Sequence, residues 1–191
     1  MRSRNFVSTQ PRKETRKRPH NVVTLRCTRL VRDRLHLPRQ TVPEPPPSTG
    51  RLGDWYVHLV RFGRAEFAIA TSERSLLTVL FPARALRTTL APSLRAGVGS
   101  LLKSLGVSGD AVAREIAAME SVTFGRATNR RVLGSMNELA FQAGVHLARG
   151  DDLFTISRRL ADTPMSAVGT KQGDYGYPGE IACELLATCV D

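Results

Sequence analysis

The chain has 191 residues, 41% of them hydrophobic, and a formal net charge of +11 at pH 7. That is room for one domain with an ordinary core. No stretch approaches the about 18 consecutive apolar residues of a membrane span, and the opening MRSRNFVSTQPRKETRKRPH lacks the apolar centre of a secretory signal.

The charge is concentrated at one end. Residues 1–40 carry 12 Lys+Arg against 2 Asp+Glu, a net of +10, and residues 41–191 carry 16 against 15, a net of +1. A near-neutral body therefore follows a basic leader. Residues 1–20 are charged and poor in apolar groups, so disorder is expected there. Such an arm neutralises phosphates, or it is an extension without function. A third reading is that translation starts at Val22 or Val23. An Arg-rich organelle presequence is disfavoured by Pro11, Glu14 and Pro19. The cysteines, Cys27, Cys183 and Cys189, form no C-x-x-C pair, so neither a zinc site nor a disulfide framework is signalled. Reduced thiols in the cytoplasm are expected.

Asn21–Thr28 reads as a strand rich in Val, Thr and Leu. Thr28–Leu37 has helical spacing, with Thr28 as its cap, and Pro38 ends it. Residues 38–53 are Pro- and Gly-rich and read as a stiff surface spacer. A strand follows over 54–62, with Trp55, Val57 and Leu59 on one face and Tyr56, Val60 and Phe62 on the other. That pattern predicts an interior strand covered on both sides. His58 shares a face with Asp54 and Tyr56, where a satisfied sheet histidine is expected rather than a catalytic cluster. Gly63-Arg64 predicts a type II′ hairpin into a strand over 65–71, and a further strand covers 75–81.

Residues 83–106 carry an apolar stripe at helical spacing, with a kink or a fresh helix start expected at Pro92. The run GVGSLLKS within it lacks the Gly-Lys step and the preceding strand of a phosphate loop. Ser108 is expected to cap a short helix reaching Met119, and 121–126 reads as a strand. Residues 130–149 form the central helix. Asp151 or Asp152 begins another, since acidic groups belong at a helix N-terminus. Residues 163–180 read as loop, and the tail from Gly179 as a last amphipathic turn or two.

The central helix raises a question of its own, because TNRRVLGSMNELAFQ places Gly134 and Asn137 inside it. At 100° per residue, Leu133, Met136, Ala140, Ala143, Gly144 and Leu147 share a buried side, while Arg131, Ser135, Glu138, Gln142, His146 and Arg149 lie opposite. Gly134 falls on a flank with Asn137. The expected structural reason is close approach of another backbone over Gly134, bonded by Asn137. Asn129 is a good N-cap. Arg130 and Arg131 occupy the first turn, where the helix dipole disfavours cations, so Asn129, Arg130 and Arg131 are candidates for anion binding. Glu138 and His146 are the candidates for acid–base chemistry.

The block TNRRVLGSMNELAFQ, with LRCTRLVRDRL and LGDWYVHLVRF upstream, resembles a prokaryotic domain family of unknown function. Its mark is a helix entered through T-x-x-N-R-x-V-L-G-S-M-N-[DE]. Asn129, Arg130, Val132 to Asn137 and Glu138 match that block, while Arg131 stands where a small polar residue is expected. The likeness covers about 22–160. It implies an opening strand–helix, a Trp-bearing strand, a meander and helices, and it implies no activity.

The fold expected is α+β: an antiparallel meander over 54–81, joined by strands 21–28 and 121–126, with helices packed on it. After the 1–20 leader, residues 21–191 are expected to form one domain. The expected function is that of a non-enzymatic accessory or regulatory protein binding nucleic acid, through the leader, or a protein partner. No membrane, cofactor or metal is expected. The alternative is an enzyme acting on a phosphorylated or nucleic-acid substrate through the 129–146 helix.

Overall fold

The computed structural model describes residues 21–38, 44–168 and 174–187. In chain order the elements are β1 (Val22–Cys27), α1 (Arg29–Leu35), β2 (Trp55–Phe62), β3 (Ala65–Ser72), β4 (Thr78–Pro82), α2 (Leu86–Ser104), α3 (Gly109–Ala118), β5 (Ser121–Arg126), α4 (Arg130–Ala148), α5 (Leu153–Ala161) and α6 (Pro178–Ala187). The basic leader lies outside the described residues, as does Cys189.

The five strands form one sheet in the order β4-β3-β2-β1-β5. The meander is present: β2 pairs antiparallel with β3, and β3 with β4. At its turn Gly63 has φ +58 and Arg64 no positive φ, the pattern of type II′. The expectation of a small antiparallel sheet fails at β1, which pairs parallel with both β2 and β5. The reason lies in the connections. A tight turn reverses a strand, but a helix and a long loop separate β1 from β2, and such crossovers return the chain in the same direction. The sheet is therefore mixed. β1, β2, β4 and β5 run one way and β3 alone runs the other.

Strand alternation supplies both faces with apolar groups. Trp55, Val57 and Leu59 enter a core with Val23, Leu25 and Cys27, covered by α1, α2, α3 and α6. Tyr56, Ile69 and Leu80 enter a second core under Val132, Met136 and Leu139 of α4 and Ile156 and Leu160 of α5. β2 is thus central and covered on both sides, as its two apolar faces require. α5 also closes the β4 edge, because the Leu80 amide donates to Ser157 Oγ at 3.1 Å.

Over β1 and β5 the second face is covered by the Pro-rich loop. Thr24 Oγ1 donates to the Pro46 carbonyl, and the Thr24 amide donates to Ser48 Oγ at 2.8 Å. A Cβ on Gly125 would lie 2.9 Å from Pro45 Cγ. Arg26 pairs with Asp54 at 2.7 Å and with Glu44. Residues 44–48 are accordingly a packed part of the fold, not a spacer. α2 runs from Leu86 to Ser104 with Pro92 inside it, so no fresh helix starts there. Pro92 is exposed, while Leu86, Leu90, Leu94 and Val98 hold the helix to the core on both sides of it.

Candidate functional site

The sheet direction sets the chemistry of its two ends. Four strands run one way, β1 and β5 stopping level with Val57 while β2 runs on to Phe62, and the chain leaving them is rich in arginine. Arg29 and Arg32 follow β1, Arg64 follows β2, Arg84 follows β4, and Arg126, Arg130 and Arg131 end or follow β5. Of these only Arg29 has a carboxylate within 4 Å among the described residues, Asp33 at 3.7 Å. Arg34 and Arg61 beside them share Glu66. At the opposite end Asp54, Glu73 and Glu120 stand with Arg51 and Arg74, close to balance.

A crevice opens where β1 and β5 end side by side. The register pairs Cys27 with Arg126. The helices that follow these strands go to opposite faces of the sheet, α1 onto the first core and α4 onto the second. Divergence of this kind leaves a cleft outside the carboxyl ends of parallel strands, the usual ligand position in open α/β sheets. Here it measures about 470 Å³ and is lined by Cys27, Thr28, Arg29, Arg32, Asp33, Leu37, Arg126 and Ala127.

Its polar groups are individually placed. Arg32 is 8% exposed, its Nη2 donates to the Pro38 carbonyl, and its Nη1 has no partner among the described residues. Thr28 stands at the N-cap of α1 but caps nothing; its Oγ1 lies 3.0 Å from His58 Nδ1 on β2. Burial pulls the His58 pKa down, which favours the neutral ring. Burial pushes the Cys27 thiol up to about 12, with Arg32 opposing weakly, so Cys27 is a packed thiol and not a nucleophile.

The residues expected from sequence are dispersed. Asn129 caps α4, its Oδ1 accepting from the Arg131 and Val132 amides at 3.1 and 3.5 Å. Those N–H groups are thereby taken from any anion. Asn129 Nδ2 donates to Glu73, which also accepts from the Tyr56 hydroxyl. Arg130 and Arg131 are exposed and make no ion pair among the described residues, and they stand outside the crevice. Glu138 is exposed, and His146 Nδ1 lies 3.0 Å from Asp151 Oδ2. Neither lines the crevice.

The reason expected for Gly134 is overturned. It is exposed, nothing among the described residues lies within 4 Å of a Cβ built on it, and Asn137 is exposed and bonds no backbone among them. The glycine of α4 that does meet a neighbour is Gly144, whose Cβ would lie 2.6 Å from Phe62 Cε1. The flank of Gly134 and Asn137 continues into Phe141, which is 74% exposed.

The crevice itself went unseen in the sequence. Arg29 and Arg32 stand far along the chain from Arg126, and only the parallel β1–β5 pairing joins them. Arginines clustered just after two strand ends were the available signal, and strand order was needed to use it.

Among the described residues no group of three or more His, Cys, Asp or Glu could hold a metal ion, and no helix is long and apolar enough to cross a membrane. Residues 24–181 match the model of a domain of unknown function, DUF6933. The chain belongs to that family. No curated protein and no solved structure matches it. The DUF6933 match begins within β1 and reaches into α6, so it takes in four strands whole, most of β1, most of the first core, the second core and the crevice, and it excludes the basic leader.

Proposed function

We propose that the protein is a non-enzymatic accessory or regulatory protein that binds nucleic acid through exposed arginines on the chain that leaves its strands. The observation that carries the reading is the set Arg64, Arg84, Arg130 and Arg131. All four are exposed, each follows a strand, and none is paired with a carboxylate among the described residues; Arg64 and Arg84 stand beyond the ends of β2 and β4, and Arg130 and Arg131 at the start of α4, beside Asn129 and Glu73. Between the β4 and β5 ends lie four strand spacings, roughly 19 Å at about 4.8 Å each, and the stop of β5 level with Val57, while β2 runs on to Phe62, widens the span further. That width suits a few backbone phosphates contacted without base readout. The near-neutral composition after residue 40 conceals this arrangement, because the balancing acids lie elsewhere. The dispersal of Glu138 and His146 gives the enzymatic alternative no support.

The test is anisotropy titration of labelled single-stranded RNA and DNA at several salt concentrations. Four phosphates neutralised on a single strand give a slope of log K against log salt of roughly −3. Substituting Arg64, Arg84, Arg130 and Arg131 together by Gln should flatten the slope and weaken every sequence alike. An unchanged slope sinks the reading.

A further inference from the structure

We infer that the crevice between the ends of β1 and β5 is a binding site for a phosphomonoester dianion, held by Arg29, Arg32 and Arg126 with the Thr28 hydroxyl. The inference stands apart from the nucleic-acid reading, which rests on other arginines.

Three features converge on it. Location is the first: the cleft lies outside two parallel strand ends whose helices diverge to opposite faces. Charge is the second. Three guanidinium groups face one carboxylate, Asp33, and Arg126 has no carboxylate partner among the described residues. That leaves an excess of two positive charges, which a phosphomonoester matches near neutral pH and a carboxylate does not. The third is Arg32. A guanidinium stays charged in a protein and carries five N–H donors. The buried Nη1 has no acceptor among the described residues, although Nη2 is already bonded. A tetrahedral anion supplies acceptors in the fork geometry that arginine prefers. The volume of about 470 Å³ admits a phosphate with a small organic group attached. Thr28 contributes a hydroxyl whose direction is set by His58 at 3.0 Å.

Isothermal titration of the full chain with a nucleoside 5′-monophosphate, and with the same nucleoside lacking phosphate, tests the site. The monophosphate should bind and the nucleoside should not. Arg29 and Arg126 are exposed, so Arg126→Gln and Arg29→Gln should each leave the fold intact by circular dichroism and weaken binding about tenfold. Asp33→Asn should tighten it, because the one opposing charge is removed. Equal binding of nucleoside and monophosphate, or unchanged affinity in both arginine variants, overturns the inference. Anisotropy with 5′-phosphorylated and 5′-hydroxyl oligonucleotides identifies the source. A preference for the phosphorylated end that vanishes in Arg126→Gln assigns the site to a nucleic-acid terminus. Monophosphate binding without that preference assigns it to a free small molecule. Oligonucleotide binding indifferent to the end group, with no monophosphate binding, overturns the crevice while leaving the broader surface reading in place.

Discussion

Thr28 and His58 meet across two neighbouring parallel strands, Oγ1 to Nδ1 at 3.0 Å, at the mouth of the arginine-lined crevice. The contact diverts Thr28 from capping α1 and fixes the imidazole of a half-buried histidine. Because burial lowers the His58 pKa below 6.5, the unfolded chain takes up this proton first on acidification. The stabilising effect is therefore complete above about 6.5 and is lost as pH falls through the lowered folded value. His58→Gln retains a group able to bond Thr28 and does not titrate. Its melting temperature should fall less than that of the native chain between pH 7 and pH 5. Parallel curves would place the acid sensitivity elsewhere.

Gly134 and Gly144 occupy the same helix and should respond oppositely to alanine. A Cβ at Gly134 meets open space, so Gly134→Ala removes only the conformational cost of glycine and should stabilise by about 1 kcal/mol. At Gly144 the same Cβ would lie 2.6 Å from the Phe62 ring, which must move within the second core. The overpacking, roughly 1–3 kcal/mol, outweighs the propensity gain, and Gly144→Ala should destabilise. Urea midpoints of the two variants decide the matter, and a loss of stability at Gly134 would show that its neighbourhood is not open.

Much of this architecture was legible because its signals are local. The two apolar faces of residues 54–62 predicted an interior strand, Gly63 predicted its turn, and the 3.6-residue stripe of α4 predicted its buried side. Asp152 and Ser108 cap α5 and α3 as their side chains require. What was not legible depends on distant pairing. Leu25 lies opposite both Trp55 and Phe124, and no local pattern in β1 names either partner. Pro92 starts no new helix because the continuous leucine stripe of α2 outweighs one missing amide on an exposed face. The candidate site was hidden for the first of these reasons. Arg32 reads as an ordinary helix cation until parallel pairing sets β5 beside it.

Glu115 is a buried carboxylate with a mechanical task. It is 3% exposed and accepts from the Arg51 and Leu52 amides at 2.7 and 3.1 Å, tying the end of the long loop to α3. Glu115→Ala removes the acceptor of one buried and one part-buried amide and should cost about 1–3 kcal/mol. Burial raises the Glu115 pKa above 4.5 although both amides oppose it. The sign is then opposite to that of His58. The folded chain keeps this proton longer, so its contribution is greatest below about 4.5 and is lost as pH rises through the raised value. Glu115→Gln should abolish that decline at a smaller cost than alanine. Chemical denaturation of both variants at pH 4 and pH 7 checks it, and a constant difference from the native chain would contradict it.

The basic leader and the exposed arginines make separable contributions to polyanion binding. Residues 1–40 carry a net charge of +10, most of it before residue 21, and Arg64, Arg84, Arg130 and Arg131 stand exposed at the ends of β2 and β4 and the start of α4. Clustered positive charge neutralises phosphates, so removing residues 1–20 should weaken RNA and DNA binding and flatten its salt dependence. The four arginines retain their own slope of roughly −3, and they should bind single strands of four or more nucleotides with little further gain from length. Titrations of the full chain, the chain without residues 1–20, and each with the four Gln substitutions form a double-mutant cycle. Additive losses on a logarithmic scale mean that the leader and the four arginines hold different phosphates. Complete loss on removing the leader alone would make the leader the sole nucleic-acid contact and would exclude the four arginines from that role.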